Sequence, residues 1–402
     1  MNKKQTLAIT TSLLFGLSVI SACGTTNTSA TENQTASIGS TTSTTETVQL
    51  ATTSESEDVS WTDLSSNEIT LTDEGLTITE TGTYVLTGST TGQIVVDTEG
   101  DVRIILNNAE IKSSEGAAIY IANAEQTVIE MAEGTTNTME DASTRSDEEI
   151  NGAIFSSDDL VLTGEGTLNV SANFEDGIVG KDDLWIEGGN INVTSVDDGI
   201  RGKDSLNISG GTLVVDAQGD GIKSSNDTDL EKGQLNISGG DITINSGDDA
   251  VKAEQAIWIT GGTVNVENSV EGIEAPVIVI DDGDINVYAT DDGINASASE
   301  IITTGINLTI NGGNVTVEVG EGDTDALDSN GDLTIAGGTV TLTAQSAVDF
   351  DGTGSLTGGT LIVNGETLTE LPQQMGGPGG GMMGGDPMGQ PGGGQPGGNF
   401  GG

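Results

Sequence analysis

The residues with the most chemical potential are carboxylates that return at a fixed spacing. Four successive segments read Glu175-Asp176-Gly177-Ile178, Asp197-Asp198-Gly199-Ile200, Gly219-Asp220-Gly221-Ile222 and Asp248-Asp249-Ala250-Val251. Three more follow: Val270-Glu271-Gly272-Ile273, Asp291-Asp292-Gly293-Ile294 and Thr324-Asp325-Ala326-Leu327. The second position is an acid in all seven. Three positions beyond it stand Val179, Arg201, Lys223, Lys252, Glu274, Asn295 and Asp328. A period of about 22 residues predicts a solenoid, which stacks equivalent residues into rows.

Two carboxylates about 5 Å apart repel by roughly 3 kcal/mol at an effective dielectric near 20, and by under 1 kcal/mol in water. A row of them calls for splayed side chains, protonation, nearby bases or bound cations. Calcium suits such a row because it takes oxygen ligands in flexible geometry, whereas magnesium demands a stricter octahedron. The candidate ligands are Asp176, Asp197, Asp198, Asp220, Asp248, Asp249, Glu271, Asp291 and Asp292. The plainer alternative is that Asp-Gly is a favoured turn pair with solvated acids.

Arg201, Lys223 and Lys252 fall in consecutive coils. They could neutralise the acids or bind the carboxylates of an acidic sugar polymer. One could also act as a β-eliminating base, if calcium lowers its pKa enough to take a proton α to a uronate carboxylate. Trp185 and Trp258 share an outward strand position, with Asn207 and Asn236 at that position in the coils between. Such a row could offer indole faces and amides to sugar rings, or each indole could pack under a loop.

The elements that must position these residues are short strands. After each acidic turn come two apolar-alternating segments separated by Gly-Gly, as in Leu184-Trp185-Ile186, Gly188-Gly189 and Ile191-Asn192-Val193. A third short strand starts at the Ile of the turn. Three strands per coil predict an all-β, right-handed parallel β-helix over residues 61–370, with about 11 coils. Segments 134–150, 225–233 and 296–306 break the period and read as loops leaving the coil. Residues 69–111 look less regular, as expected of a cap and first coils.

Composition narrows the chemistry. The 402 residues hold 63 Asp+Glu, 11 Lys+Arg and no His, for a net charge of −52. So strong a negative field argues against nucleic acid and anionic membrane surfaces as partners. Without His, Ser-His-Asp hydrolysis and His-type zinc sites drop out. Lys3, Lys4 and the apolar stretch from Leu7 to Ile20 form a leader over residues 1–22. It ends in Ile20-Ser21-Ala22-Cys23, which looks like a lipobox in which Cys23 is lipidated. Residues 23–60 read as a Ser/Thr-rich tether and 371–402 as a Gly/Pro/Met-rich tail.

Four stretches carry a family resemblance: Gly82-Thr83-Tyr84-Val85-Leu86-Thr87-Gly88, Ile104 through Ile111, Asp159-Leu160-Val161-Leu162-Thr163-Gly164, and Asp197 through Asp204. Through them the chain resembles the secreted bacterial carbohydrate-binding β-helix family of the clostridial type, similar in fold to pectate lyases. The resemblance implies calcium at coil turns and binding of an acidic polysaccharide such as polygalacturonate, or of cellulose. Together these readings describe a monomeric, lipid-anchored, calcium-binding lipoprotein on the outer face of a bacterial membrane that recognises polysaccharide. The alternatives are a calcium-dependent polysaccharide lyase using Lys223 or Lys252, and an envelope or adhesion spacer without a glycan partner.

Overall fold

A computed structural model of the chain describes residues 59–372 except 323. Cys23, the leader, nearly all of the tether and nearly all of the tail lie outside the described residues.

The described chain is a parallel β-helix. Each coil contributes three strands, and each strand pairs with its counterpart one coil along. The third-strand sheet holds 12 strands, beginning at Leu76–Ile78 and ending at Ser346–Val348. The first and second strands form two further faces, joined into one sheet of 24 strands. They join because Gly82–Thr90 and Val102–Lys112 run through both faces without a turn. The stretch that looks irregular in sequence forms the first coils, with longer strands and with register shifts between Leu86 and Gly88 and between Val96 and Asp97.

Register follows the repeat. Ile178 pairs with Ile200, Ile200 with Ile222, and Ile222 with Val251. The last step is longer because residues 225–233 leave the coil, and the step from Ile294 to Leu327 is longer because of 296–306. Inward Ile, Leu and Val form continuous rows, such as Leu160, Leu184, Leu206, Leu235 and Ile257, all fully buried. Alternation puts one face of each strand into this core, and coil stacking at about 4.8 Å closes it along the axis.

The glycine of the acidic turn is required by proximity, not by a left-handed backbone. A Cβ on Gly199 would stand 2.5 Å from the carbonyl oxygen of Gly221 and 2.3 Å from Val215 Cγ1. The stack ends in the antiparallel pair Thr360–Val363 and Glu366–Leu368.

An acidic ladder and the face beside it

The seven turns bring their acids into one row, and the first four are zipped together. The backbone N–H of Asp198 donates to Asp176 Oδ1 at 3.2 Å. Asp220 N–H donates to Asp198 Oδ1 at 3.0 Å, and Asp249 N–H to Asp220 Oδ1 at 3.1 Å. Further along, Asp325 N–H donates to Asp292 Oδ1 at 2.7 Å. One oxygen of each of these carboxylates thus satisfies the backbone of the next coil.

The second oxygens meet the bases. Arg201 bonds Asp176 Oδ2 through Nε at 3.0 Å and through Nη2, and lies 3.7 Å from Asp198 Oδ2. Lys223 sits 2.6 Å from Asp220 Oδ2 and 3.7 Å from Asp198 Oδ2. Lys252 bridges Asp249 and Glu274. Asp176, Asp220 and Asp249 are only 1%, 3% and 3% exposed.

Burial sets the titration of the row. It pushes Asp176 above the ordinary carboxylate range, against the pull of Arg201. Asp198 rises to about 6 through burial, with Lys223 opposing and Asp176 and Asp220 adding to the rise. Asp249 rises to about 7, from burial against Lys252. Glu271 rises to about 8, from burial and the charges of Glu274 and Asp249. Asp328 reaches about 7, through burial and Asp292, Asp325 and Asp349.

Burial by itself would lower the two lysines, but their acids win. Asp220 and Asp198 hold Lys223 above its ordinary pKa, and Asp249 and Glu274 hold Lys252 well above it. A β-eliminating lysine needs the opposite shift. The geometry makes Arg201, Lys223 and Lys252 ion-pair partners of the ladder.

Two groups of three carboxylates place oxygens within 4.8 Å of one another along this row: Asp176, Asp197 and Asp198, and Asp220, Asp248 and Asp249. In each, two members are buried while Asp197 or Asp248 is exposed. A third group joins Asp249 to Glu271 and Glu274. Their donor set, oxygen only, fits a hard divalent cation. Asp291 is exposed, Asp292 engages Asp325, and neither enters such a group among the described residues.

The outward row of the third-strand sheet runs Tyr120, Phe155, Val179, Arg201, Lys223, Lys252, Glu274, Asn295, Asp328. Tyr120 and Phe155 stack obliquely, 5.9 Å between ring centroids. The face therefore changes from aromatic through cationic to acidic along the axis. The two aromatics lack a local signal, because their coils carry no acidic turn. Insertions border the face at both ends. Arg145 of the first is locked to Asp141 at 2.6 Å, both buried. Residues 297–303 of the last flank Lys252 and Glu274 around a cavity of about 410 Å³.

The tryptophan row needs correction. Trp185, Asn207, Asn236 and Trp258 are indeed neighbours in register. Trp185, Asn207 and Asn236 are nevertheless buried, and only Trp258 is partly open. Trp61 packs on Trp185, Val161 and Val128, so Trp185 presents no free ring face. Asn207 Nδ2 donates to Ser205 Oγ at 2.7 Å. Trp61, an isolated aromatic in a polar segment, was the one available signal for this cover.

Fold and site together define a parallel β-helix whose turns carry a charge-paired acidic ladder. The chain belongs to the family of carbohydrate-binding domain-containing proteins, whose model matches residues 72–352. A carbohydrate-binding domain-containing protein of Acetivibrio thermocellus is 37% identical over 133 residues, 31% of this chain and 46% of that relative. The matched region is thus less than half of that relative's length. A solved polysaccharide lyase-like protein from C. thermocellum, in a gadolinium derivative, is 26% identical. The match covers 73% of this chain and 98% of that one, with a TM-score of 0.42.

Proposed function

We propose that this chain is a non-catalytic, calcium-dependent binder of acidic polysaccharide, held on the outer face of a bacterial membrane by a lipid on Cys23. The observation that carries the reading is the stacked row Arg201, Lys223, Lys252 on one outward face, beside the exposed Asp197 and Asp248. On a chain of net charge −52, a polyanion is repelled almost everywhere. On this face Arg201, Lys223 and Lys252 offset part of the charge of Asp176, Asp198, Asp220, Asp249 and Glu274. Calcium would add bridging between protein and uronate carboxylates. Asp197 and Asp248 would supply the solvent-facing oxygens, and the buried ladder acids would hold the ion's inner side. The raised lysines favour binding over elimination.

The test is calorimetric titration of the full chain with polygalacturonate, in calcium and in EDTA, with the ultraviolet absorbance of unsaturated uronate followed in the same samples. Heat in calcium only, with flat absorbance, supports the reading. Rising absorbance would make the protein a lyase. No heat in either condition would remove the acidic glycan as partner.

A further inference from the structure

Arg201, Lys223 and Lys252 are held by ladder acids, so an incoming anion must compete for them. Two residues past Phe155, Val179, Arg201, Lys223 and Lys252, on the same side of the sheet, runs a second row: Ser157, Lys181, Lys203, Ser225 and Glu254. Backbone bonds hold it in register. Lys181 N–H donates to Ser156 O at 2.8 Å, Lys203 N–H to Gly180 O at 2.8 Å and Ser225 N–H to Gly202 O at 3.2 Å. Lys181 and Lys203 therefore occupy equivalent positions one coil apart, about 4.8 Å along the axis.

Among the described residues, every other Lys and Arg forms an ion pair, whereas these two form none. That is unexpected in a chain whose acids outnumber its bases 63 to 11. Like charges at this spacing repel, and one carboxylate between them would relieve the repulsion. Asp182 and Asp204 directly follow the two lysines in sequence, yet they turn elsewhere. Asp204 holds Lys232 and accepts from Asn226 Nδ2 at 2.6 Å, and Asp182 bonds to Asp204.

The pair sits where the aromatic end of the face meets the cationic part. Lys181 Nζ lies 5.6 Å from the centroid of the Phe155 ring, which draws its head over that end. Both lysines are partly exposed, as are the flanking Ser157 and Ser225. Burial, with the charges of Arg201 and Lys203, pushes Lys181 below its ordinary pKa. Asp176 and Glu149 oppose that shift through space, without pairing with it.

We propose that Lys181 and Lys203 are the subsite that receives a uronate carboxylate of the polysaccharide, with Ser157 and Ser225 beside them for sugar hydroxyls. Each ammonium group carries three donors, and a carboxylate has an oxygen for each lysine. Binding here displaces no acid of the protein and relieves the repulsion between the two lysines, whereas binding at Arg201, Lys223 or Lys252 must break an existing pair. The inference rests on the acidic-polysaccharide reading and moves the anion contact from the paired row to the unpaired one.

The test is calorimetric titration of the full chain with polygalacturonate in calcium, for wild type and for the double variant Lys181→Gln/Lys203→Gln. The expected result is an affinity at least ~10-fold weaker in the double variant, the low end for losing charged hydrogen bonds. Lys181→Arg/Lys203→Arg keeps both charges and should bind like wild type. Lys112→Gln removes one charge at an exposed pair on another face and should also bind like wild type. Wild-type affinity in the Gln double variant would overturn the proposal and leave the glycan reading standing. A loss of the same size in the Arg pair would overturn it by tying the effect to packing, and one in Lys112→Gln by reducing the effect to net charge. No heat from wild type would overturn both the proposal and the reading beneath it.

Discussion

The backbone N–H of Asp249 donates to Oδ1 of Asp220 at 3.1 Å, across the seam between two coils. The other oxygen of Asp220 holds Lys223 at 2.6 Å. One buried carboxylate therefore satisfies a backbone donor and a half-buried cation together. Asp220→Ala leaves both without it and should cost about 3–5 kcal/mol, the range for breaking a buried pair. Asp220→Asn keeps the oxygen that accepts from Asp249 and should cost less. Urea unfolding followed by circular dichroism ranks the two; wild-type midpoints for both would show that the ladder does not hold the coils together.

The titration of the row fixes a direction for stability against pH. Asp198, Asp249, Asp328 and Glu271 have folded pKa values raised to about 6, 7, 7 and 8. The folded state thus binds more protons than the unfolded one between the ordinary carboxylate range and about pH 8. Stability from these groups is full below their unfolded values and is lost as pH rises through the folded ones. In EDTA, the melting temperature should fall between about pH 5 and pH 8. Calorimetric melts at several pH values decide it, and a melting temperature that rises over this window would contradict the burial-driven shifts.

Calcium should act against that trend. If it binds only the folded chain, a concentration near 100 times Kd adds about 2.7 kcal/mol. Protons compete for the same oxygens, so the gain should be larger at about pH 8 than at about pH 5. Melts with calcium and with EDTA at the two pH values give the four numbers required. A gain independent of pH would detach calcium from the raised carboxylates.

Thr127 sits in an otherwise aliphatic inward row, between Val102 and Leu160, fully buried, and its hydroxyl has no partner. Thr127→Val removes an unsatisfied polar atom at nearly constant volume. The expected gain is about 1 kcal/mol, read from the urea midpoint. A loss would mean the hydroxyl is satisfied by buried water.

Gly199→Ala tests the close approach at the turn. The added methyl would meet the Gly221 carbonyl and Val215. Overpacking of this kind costs about 1–3 kcal/mol. Thermal melts should show the loss, while the solvent-side Val196→Ala, in the same turn and exposed, should be near neutral.

The 22-residue period, the alternation of apolar residues and the glycine pairs were enough to specify the coil, its three strands and the alignment of the acids, because each depends on residues close in the chain. The insertions at 225–233 and 296–306 were legible as breaks in that period. What the acids do was not. Which oxygen of Asp176 meets Arg201 and which accepts Asp198 N–H depends on how one coil sits on the next, and composition is blind to that. The lysine shifts turned on the same stacking: a base beside a solvated acid and one wedged between two buried acids look alike in sequence, yet only the wedged one is held far above its ordinary pKa. The burial of Trp185 under Trp61 came from the path of a segment more than 120 residues upstream in the chain. Local periodicity determined the scaffold, whereas contacts between residues distant in sequence decided which of its side chains face solvent and which charges are already paired.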